Sequence, residues 1–315
     1  NSKNTFLRIN QQMIKKSPYF CQAKCIFPFS NINKKKIFNS LEFKKGLELA
    51  TKIISKEHDR DISDKSRKSF PDVKPGFLKS KLPKHPPLKG EQLEKILEDT
   101  ENLIVPGIRN WQDPNFYAYF PSRVSHQSAI AETITNALLS VGFTWHSNPA
   151  NTELENVVVD WCIDLLNLPK KFLLSGKGGG TLGQTTGDDI LLSVIAAKFK
   201  KMQELGLSTS DSQELSKFVG YYSDHSHLQI FKAMHIKDIN HIRSIPVDYS
   251  SKWGNYQIIN LKEKIEEDVE KGLIPFMIGV TIGTTSSGAI DDIDQITKLC
   301  KKYNIFLLVD CAWAG

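Results

Sequence analysis

Four short segments carry residues whose types and spacing suit chemistry on a charged aromatic ligand. Asp310 closes the apolar run Ile305-Phe-Leu-Leu-Val309 and is followed by small residues. Gly283-Thr284-Thr285 comes directly after a second apolar run, 276–282, and Asp224, His225 and His227 come after a third, 218–223. The fourth is the glycine-rich stretch Lys177-Gly178-Gly179-Gly180-Thr181, which leads into Thr185-Thr186-Gly187. Hydroxyls and unpaired backbone N–H groups at a helix start make a ready phosphate cradle. Each segment also has a plainer reading. An aspartate after a strand often only caps its turn, and a histidine there is more often structural than catalytic. Taken together, an anion cradle, a flat residue and a carboxylate at one sheet edge are the parts that hold a phosphorylated, protonated aromatic cofactor. The carboxylate would keep a ring nitrogen protonated, so that the ring accepts electrons. Such chemistry also calls for an imine-forming lysine.

The elements that position these residues are legible as alternating strands and helices. Strands are predicted at 218–223, 243–246, 276–282 and 305–309, with helices at 226–235, 261–271 and 291–303. Gly272 is well placed to close the second of these helices. Alternation at this spacing predicts an α/β fold with a mostly parallel sheet covered on both faces. Ligands of such sheets sit beyond the carboxyl ends of the strands, where the candidate residues fall. Upstream, residues 126–142 read as a packed helix ending at Gly142. Thr152 and Glu155 resemble a capping box opening a helix through Val158, Trp161, Leu165 and Leu166. A further helix is expected over 188–203.

Before residue 126 the chain reads differently. A helix is predicted through Phe43, Leu47, Ala50, Ile53 and Ile54, followed by a charged stretch over 55–70 and a proline-punctuated arm over 71–87. A second helix, through Leu93, Ile96, Leu97, Leu103 and Ile104, is expected to end before Pro106. The organisation predicted is therefore a basic extension over 1–38, read as disordered, a helical wrapping arm over 39–125, and an incomplete cofactor-binding α/β domain over 126–315.

Composition excludes several function classes. The net charge is +6, but residues 1–38 hold eight of the 41 basic side chains and none of the 35 acidic ones. The remainder is nearly balanced, which argues against a nucleic-acid-binding face. The extension is read as a plain Lys/Asn-rich segment in preference to a targeting leader. No apolar run is long enough to cross a membrane. Five scattered cysteines argue against a disulfide-built domain, and Cys21 and Cys25 lack the second ligand pair of a zinc site. No metal is expected.

Seven segments in order resemble the plant aromatic-L-amino-acid decarboxylases (the tyrosine and tryptophan decarboxylases and aromatic aldehyde synthases), within the group II pyridoxal-phosphate decarboxylases. They are Val73 to Pro83, Trp111-Gln-Asp-Pro-Asn-Phe-Tyr-Ala-Tyr-Phe-Pro121, Phe143 to Glu155, Gly178-Gly-Gly180, Ser223-Asp-His-Ser-His227, Gly283-Thr-Thr-Ser286 and Val309-Asp-Cys-Ala-Trp-Ala-Gly315. The resemblance implies a pyridoxal-phosphate-dependent transferase-like (fold type I) large domain with pyridoxal 5'-phosphate as cofactor. It implies decarboxylation of an aromatic L-amino acid (tyrosine, dopa or tryptophan), with oxidative formation of an aromatic aldehyde as the alternative on the same fold. A cytoplasmic homodimer is implied as well.

By position, the resemblance makes His227 the residue that stacks on the cofactor ring, Asp310 the partner of its nitrogen and Ala312 the small residue beside it. Thr185, Thr186 and Gly187 take the phosphate-loop positions, while Thr284 and Ser122 contact the cofactor. Trp111, Tyr119, Phe120 and Phe143 fall in segments that shape the aromatic-substrate pocket. There are departures. Gly183-Gln184 reverses the usual order, Asp188 stands for a glutamate, Asp189 replaces a small residue, and His146 and Asn148 are unusual in their segment. An extra carboxylate works against a phosphate cradle. The imine-forming lysine of the family lies downstream of the last motif, after a histidine, and no His-Lys pair occurs here. Lys252-Trp253 reads as a chance match. The chain alone is therefore expected to be inert.

Overall fold

A computed structural model of the chain describes residues 38–59, 70–119, 122, 124–176, 178–248, 255–256 and 258–315. The basic extension up to residue 37, Phe120 and Lys252-Trp253 lie outside the described residues. The chain divides into two units, Asn1–Arg123 and Val124–Gly315.

In the first unit, helix α1 (Ser40–His58) starts at Asn39, whose side chain accepts the Leu41 and Glu42 N–H groups. It runs one turn beyond Ile54, into the charged stretch 55–70. Helix α2 (Leu93–Asp99) continues through a π turn (Thr100–Ile104) into a 3-10 turn (Val105–Gly107). The α and π turns close at Ile104, before Pro106 as predicted, and Pro106 stands in the first turn of the separate 3-10 segment, where an N–H has no acceptor to lose. Ion pairs from Lys45 to Glu94 and from Lys56 to Glu101 tie α1 to the α2 segment.

The second unit opens with α3 (His126–Ala137), capped by Ser125, and α4 (Pro149–Leu165), followed by a 3-10 turn (Lys170–Phe172). Two expectations need correction here. Helix α3 ends five residues before Gly142, because Leu139 takes a left-handed conformation (φ 50°) and the Ser140 N–H donates back to the Thr135 carbonyl. Nor is it packed, since none of its residues is buried and Ile130 and Ile134 are more than half exposed. Helix α4 is capped not by Thr152 but by Asn148, whose side chain accepts the Asn151 N–H (3.1 Å) and donates to Ser140 Oγ (2.8 Å). Pro149 at the first helical position fixes that start.

Next come α5 (Thr186–Leu205), α6 (Ser212–Leu215), β1 (Phe218–Ser223), α7 (Leu228–Ile236), β2 (His241–Ile245), β3 (Val247–Asp248), β4 (Asn255–Tyr256), α8 (Ile258–Glu270), β5 (Ile274–Thr281), α9 (Ile293–Tyr303) and β6 (Phe306–Asp310). The main sheet has the order β2-β1-β5-β6 and is parallel throughout, while β3 and β4 form a small antiparallel pair. As predicted, both sheet faces are covered. On one, Ile190, Val194 and Ala197 of α5 and Ile230, Ala233 and Met234 of α7 pack on Phe218, Phe276 and Met277. On the other, Leu261 and Ile265 of α8 and Ile296, Leu299 and Cys300 of α9 pack on Val219, Tyr221, Ile278 and Val280. Each fully buried Val, Leu, Ile, Phe or Met among these contributes roughly 1.5–3 kcal/mol. Helix α7 sits close because Gly220 and Gly279 leave room for it. A Cβ on Gly220 would collide with the Met234 sulfur, and one on Gly279 would lie 2.9 Å from Ile230.

One polar group is set within the second face. Asp268 of α8 is fully buried. It accepts two-point hydrogen bonding from Arg243 (Nη2–Oδ1 2.8 Å, Nε–Oδ2 3.1 Å) and a third bond from the Tyr221 hydroxyl (3.0 Å). Burial, then the neighbouring Asp268 charge, pushes the Tyr221 phenol far above its ordinary range. Removing one member of a buried pair strands the other. Asp268→Ala should therefore destabilise the second unit by about 3–5 kcal/mol, read as a lower urea midpoint, with a smaller loss in Asp268→Asn. Burial also pushes the Cys300 thiol up to about 12. At neutral pH iodoacetamide should modify the exposed Cys162 and Cys311 and spare Cys300 until the fold opens, a difference that peptide mass spectrometry resolves.

Candidate functional site

The parallel sheet delivers the ends of β1, β5 and β6 to one edge as Ser223, Thr281 and Asp310, and all three are buried. Thr281 and Asp310 are register partners, and the Ile282 N–H donates to the Asp310 carbonyl (2.8 Å). The Asp310 carboxylate is oriented by the turn that follows it, since the Ala312 N–H donates to Oδ1 (3.1 Å). A second buried carboxylate, Asp291, accepts the Thr281 N–H (2.7 Å). The Thr281 hydroxyl donates to Ser226 Oγ (3.3 Å), one residue before His227. Thr281 therefore links the segments that carry Asp310 and His227. Sequence reasoning missed Ser226, Thr281 and Asp291; Thr281 stands inside an apolar run, and the other two have only their positions near strand ends as a signal.

His227 caps α7, with Nδ1 accepting the Gln229 N–H (3.2 Å), and the ring is exposed. An accepting Nδ1 puts the proton of a neutral ring on Nε2. The Gln229 amide also lies under Gly187, where an added Cβ would meet it at 3.3–3.4 Å. The glycine-rich stretch and the His227 turn are thus neighbours. Helix α5 starts at Thr185, whose Oγ1 accepts the Asp188 N–H (3.2 Å) and donates to Asp188 Oδ2 (2.8 Å). The N–H groups of Thr186 and Gly187 belong to the first turn, where no intrahelical acceptor exists.

The loop before this cradle is held by Glu155. Its Oε1 accepts both the Leu182 N–H and the Thr181 hydroxyl, each at 2.8 Å. The Leu182 N–H, and then Thr181, hold the Glu155 carboxyl below the usual glutamate range. The residue read from sequence as half of a capping box instead clasps a loop 26 residues away.

Thr284 lies at the same edge, fully buried. Its hydroxyl accepts the Ala289 N–H (3.1 Å) and pairs with Ser287 Oγ (2.9 Å), so it closes its own turn. Gly283 before it has φ 86° and supports Trp313, with Ala314 Cβ only 2.8 Å from where a side chain would begin. The segment 311–315 therefore folds over the 283 turn, with Ala312 exposed beside Asp310. Trp111, Tyr119 and Ser122 belong to the first unit. Trp111 and Tyr119 stack there (5.3 Å between centroids, 12° between planes), and Tyr119 is held at φ 61°, a costly conformation for an aromatic residue. Phe143 is largely exposed in the loop before α4.

The donor set of the second unit suits a phosphorylated, cationic aromatic group. It comprises helix-start N–H groups able to accept an anion, a buried carboxylate able to pair with a cation, and an exposed imidazole on the neighbouring turn. Among the described residues no cluster of His, Cys, Asp and Glu is arranged to hold a metal, and no helix is long and apolar enough to cross a membrane.

Comparison with known proteins identifies what the chain as a whole is similar to. Residues 75–315 match the pyridoxal-dependent decarboxylase conserved domain. The sequence is 39% identical over 246 residues to an aromatic-L-amino-acid decarboxylase of Catharanthus roseus, covering 78% of this chain and 48% of that protein. It is 41% identical over 249 residues to a 4-hydroxyphenylacetaldehyde synthase of Rhodiola rosea, covering 78% and 49%. The fold superposes on the crystal structure of Oryza sativa TDC with PLP and tryptamine with a TM-score of 0.81 at 30% identity, covering 88% of this chain and 56% of that one. The chain spans about half the length of the curated relatives it matches.

The Glu155 clasp has a pH signature. A lowered carboxyl pKa in the folded state means that the clasp holds above the ordinary glutamate range and is released as pH falls through and below it. The Leu182 amide resonance should shift with that titration in the wild type. It should stay flat, at the released position, in Glu155→Ala; a wild-type Leu182 amide indifferent to acid would contradict the clasp.

Proposed function

We propose that this chain, which belongs to the pyridoxal-dependent decarboxylase family, is the cofactor-holding part of an enzyme that removes the α-carboxylate of an aromatic L-amino acid (tyrosine, dopa or tryptophan). The products are carbon dioxide and the arylalkylamine. The cofactor is pyridoxal 5'-phosphate, which supplies, when bound, a ring that accepts the electron pair left by the departing carboxylate. The observation that carries the reading is the buried Asp310 carboxylate, fixed by strand register and by the Ala312 N–H at the carboxyl edge of the sheet.

In this reading Asp310 keeps the ring nitrogen protonated, because a buried carboxylate strongly favours an adjacent cation over a neutral group. His227 lays its imidazole along the ring and is held for that role by the Gln229 N–H. Thr185, Thr186 and Gly187 take the phosphate with the dipole and free N–H groups of a 20-residue helix behind them. Ala312 keeps the space beside the ring open, and Ser122 and Thr284 complete the cofactor's surroundings, Thr284 by fixing the turn after β5. Trp111, Tyr119, Phe120 and Phe143 supply aromatic surface for the substrate ring.

The assembly proposed is a cytoplasmic homodimer. In support of a partner surface, Ile130 and Ile134 of α3 and Val157 and Trp161 of α4 are exposed, and apolar side chains gathered in one exposed patch mark contact surfaces. Oxidative conversion to the aromatic aldehyde is the second reading, favoured by the 41% identity to an aldehyde synthase.

The gene product that carries this chain tests both. Incubated with tyrosine, dopa and tryptophan, it should release carbon dioxide and the amine in equal amounts. Aldehyde, ammonia and peroxide in place of the amine would select the second reading. Asp310→Asn should retain the fold but lose at least about a thousandfold in kcat, because a neutral amide no longer holds the ring charge. Near-normal turnover in that variant would refute the role assigned to Asp310.

A further inference from the structure

The start of α5 carries one carboxylate more than its own capping uses. Asp188, at the third helical position, is engaged by Thr185 through both its N–H and its side chain. Asp189, at the fourth, folds back onto the preceding loop. A Cβ built on Gly183 would overlap this carboxylate, with Cγ 2.5 Å and Oδ2 2.8 Å away. Glycine at 183 is therefore what gives the carboxylate its seat, and any larger residue there would displace it. Both Asp189 and Gly183 are exposed, so the seat faces the solvent side of the loop.

This position has an electrostatic consequence. The helix start offers positive potential through its dipole and through the N–H groups of Thr186 and Gly187. Two carboxylates in that first turn neutralise much of the potential before any anion arrives. Asp188 is tied to the cap, whereas Asp189 presents its charge to the loop that leads into the cradle. A phosphate monoester carries close to two negative charges at neutral pH, so it meets repulsion here twice as large as a singly charged group would.

Resting on the cofactor reading above, we infer that Asp189, seated against Gly183, is an affinity determinant of the phosphate cradle that weakens its grip on a phosphorylated ligand. The cradle is set to hold phosphate loosely, and the contribution of Asp189 fades as salt screens it. The plainer role for an aspartate in a first turn, stabilising the helix end, predicts no change in ligand affinity when its charge is removed.

The test compares the full 315-residue chain with its Asp189→Asn and Asp189→Ser variants at low and at high salt. Three probes are titrated: inorganic phosphate, followed by the amide resonances of residues 185–189, and pyridoxamine 5'-phosphate and pyridoxamine, followed by fluorescence. Both variants should bind inorganic phosphate and pyridoxamine 5'-phosphate on the order of tenfold more tightly than wild type at low salt. The gain should shrink at high salt, and pyridoxamine should be unaffected. Equal phosphate affinity in wild type and variants, including no binding by any of them, would overturn the inference. So would an equal gain for pyridoxamine. A gain with inorganic phosphate, but no tighter binding of pyridoxamine 5'-phosphate than of phosphate itself, would uphold the role of Asp189 and overturn the cofactor reading.

Discussion

In a sheet whose strands all run the same way, every strand finishes on the same side, and the last backbone groups of each must find partners outside the ladder. That constraint organises the second unit. At the carboxyl edge the Ile282 N–H takes the Asp310 carbonyl, the Asp291 N–H takes the Thr281 carbonyl, and the Thr281 N–H takes the Asp291 carboxylate. The central strands β1 and β5 behind this edge are almost wholly buried, so apart from the Arg243–Asp268–Tyr221 group the edge is where polar side chains gather. A carboxylate in such a position is stable only with hydrogen-bond donors at hand, and Asp310 and Asp291 each accept a backbone N–H. Charge is thus stored at a point fixed by backbone register.

Much of this was legible in the sequence, for a physical reason. Apolar runs such as 276–282 and 305–309 gain most from burial, and a largely buried run in an alternating α/β pattern reads as a parallel strand. From that alone, Asp310, Thr284 and His227 fall at one edge. Less legible were features set by contacts between distant residues. The Glu155 clasp on Thr181 and Leu182, the Ser226–Thr281–Asp291 chain, and the Arg243–Asp268–Tyr221 group all join positions 10 to 55 residues apart. None leaves a local pattern. Helix boundaries failed for a related reason, since several polar residues near 148–152 could serve as cap. The choice of Asn148 over Thr152 depends on Pro149 and on a bond to Ser140.

The Arg243–Asp268–Tyr221 group bears on the site from below. Tyr221 and Arg243 are register partners on β1 and β2, two residues before Ser223 and Ile245. Their common attachment to Asp268 ties both strands to α8. Replacing such a group with well-packed apolar residues is often neutral for stability, so its presence calls for another explanation. Its fixed geometry sets the register of the two strands just where they approach the edge, which positions the turn that carries His227. Packing of α7 against Gly220 and Gly279 acts in the same direction from the opposite face.

The two halves of the proposed activity rest on different kinds of structure. Holding a ring charge, stacking on the ring and accepting its phosphate all depend on strand ends and helix starts, whose geometry follows from backbone hydrogen bonding. In that proposal, selecting among aromatic substrates falls to Trp111, Tyr119 and Phe143, which stand in loops and turns and, for the first two, in a separate unit. Loop positions of this kind can change without disturbing the sheet. A family built on such a division would keep its cofactor-holding framework while substrate and reaction outcome diverge. Among relatives of nearly equal identity, decarboxylase and aldehyde synthase sit side by side. The same logic explains why Asp189 stands out. It stands at a helix start, where it alters the charge without altering the backbone, and so in the inference above it would adjust how tightly phosphate is held while leaving the chemistry of the edge intact.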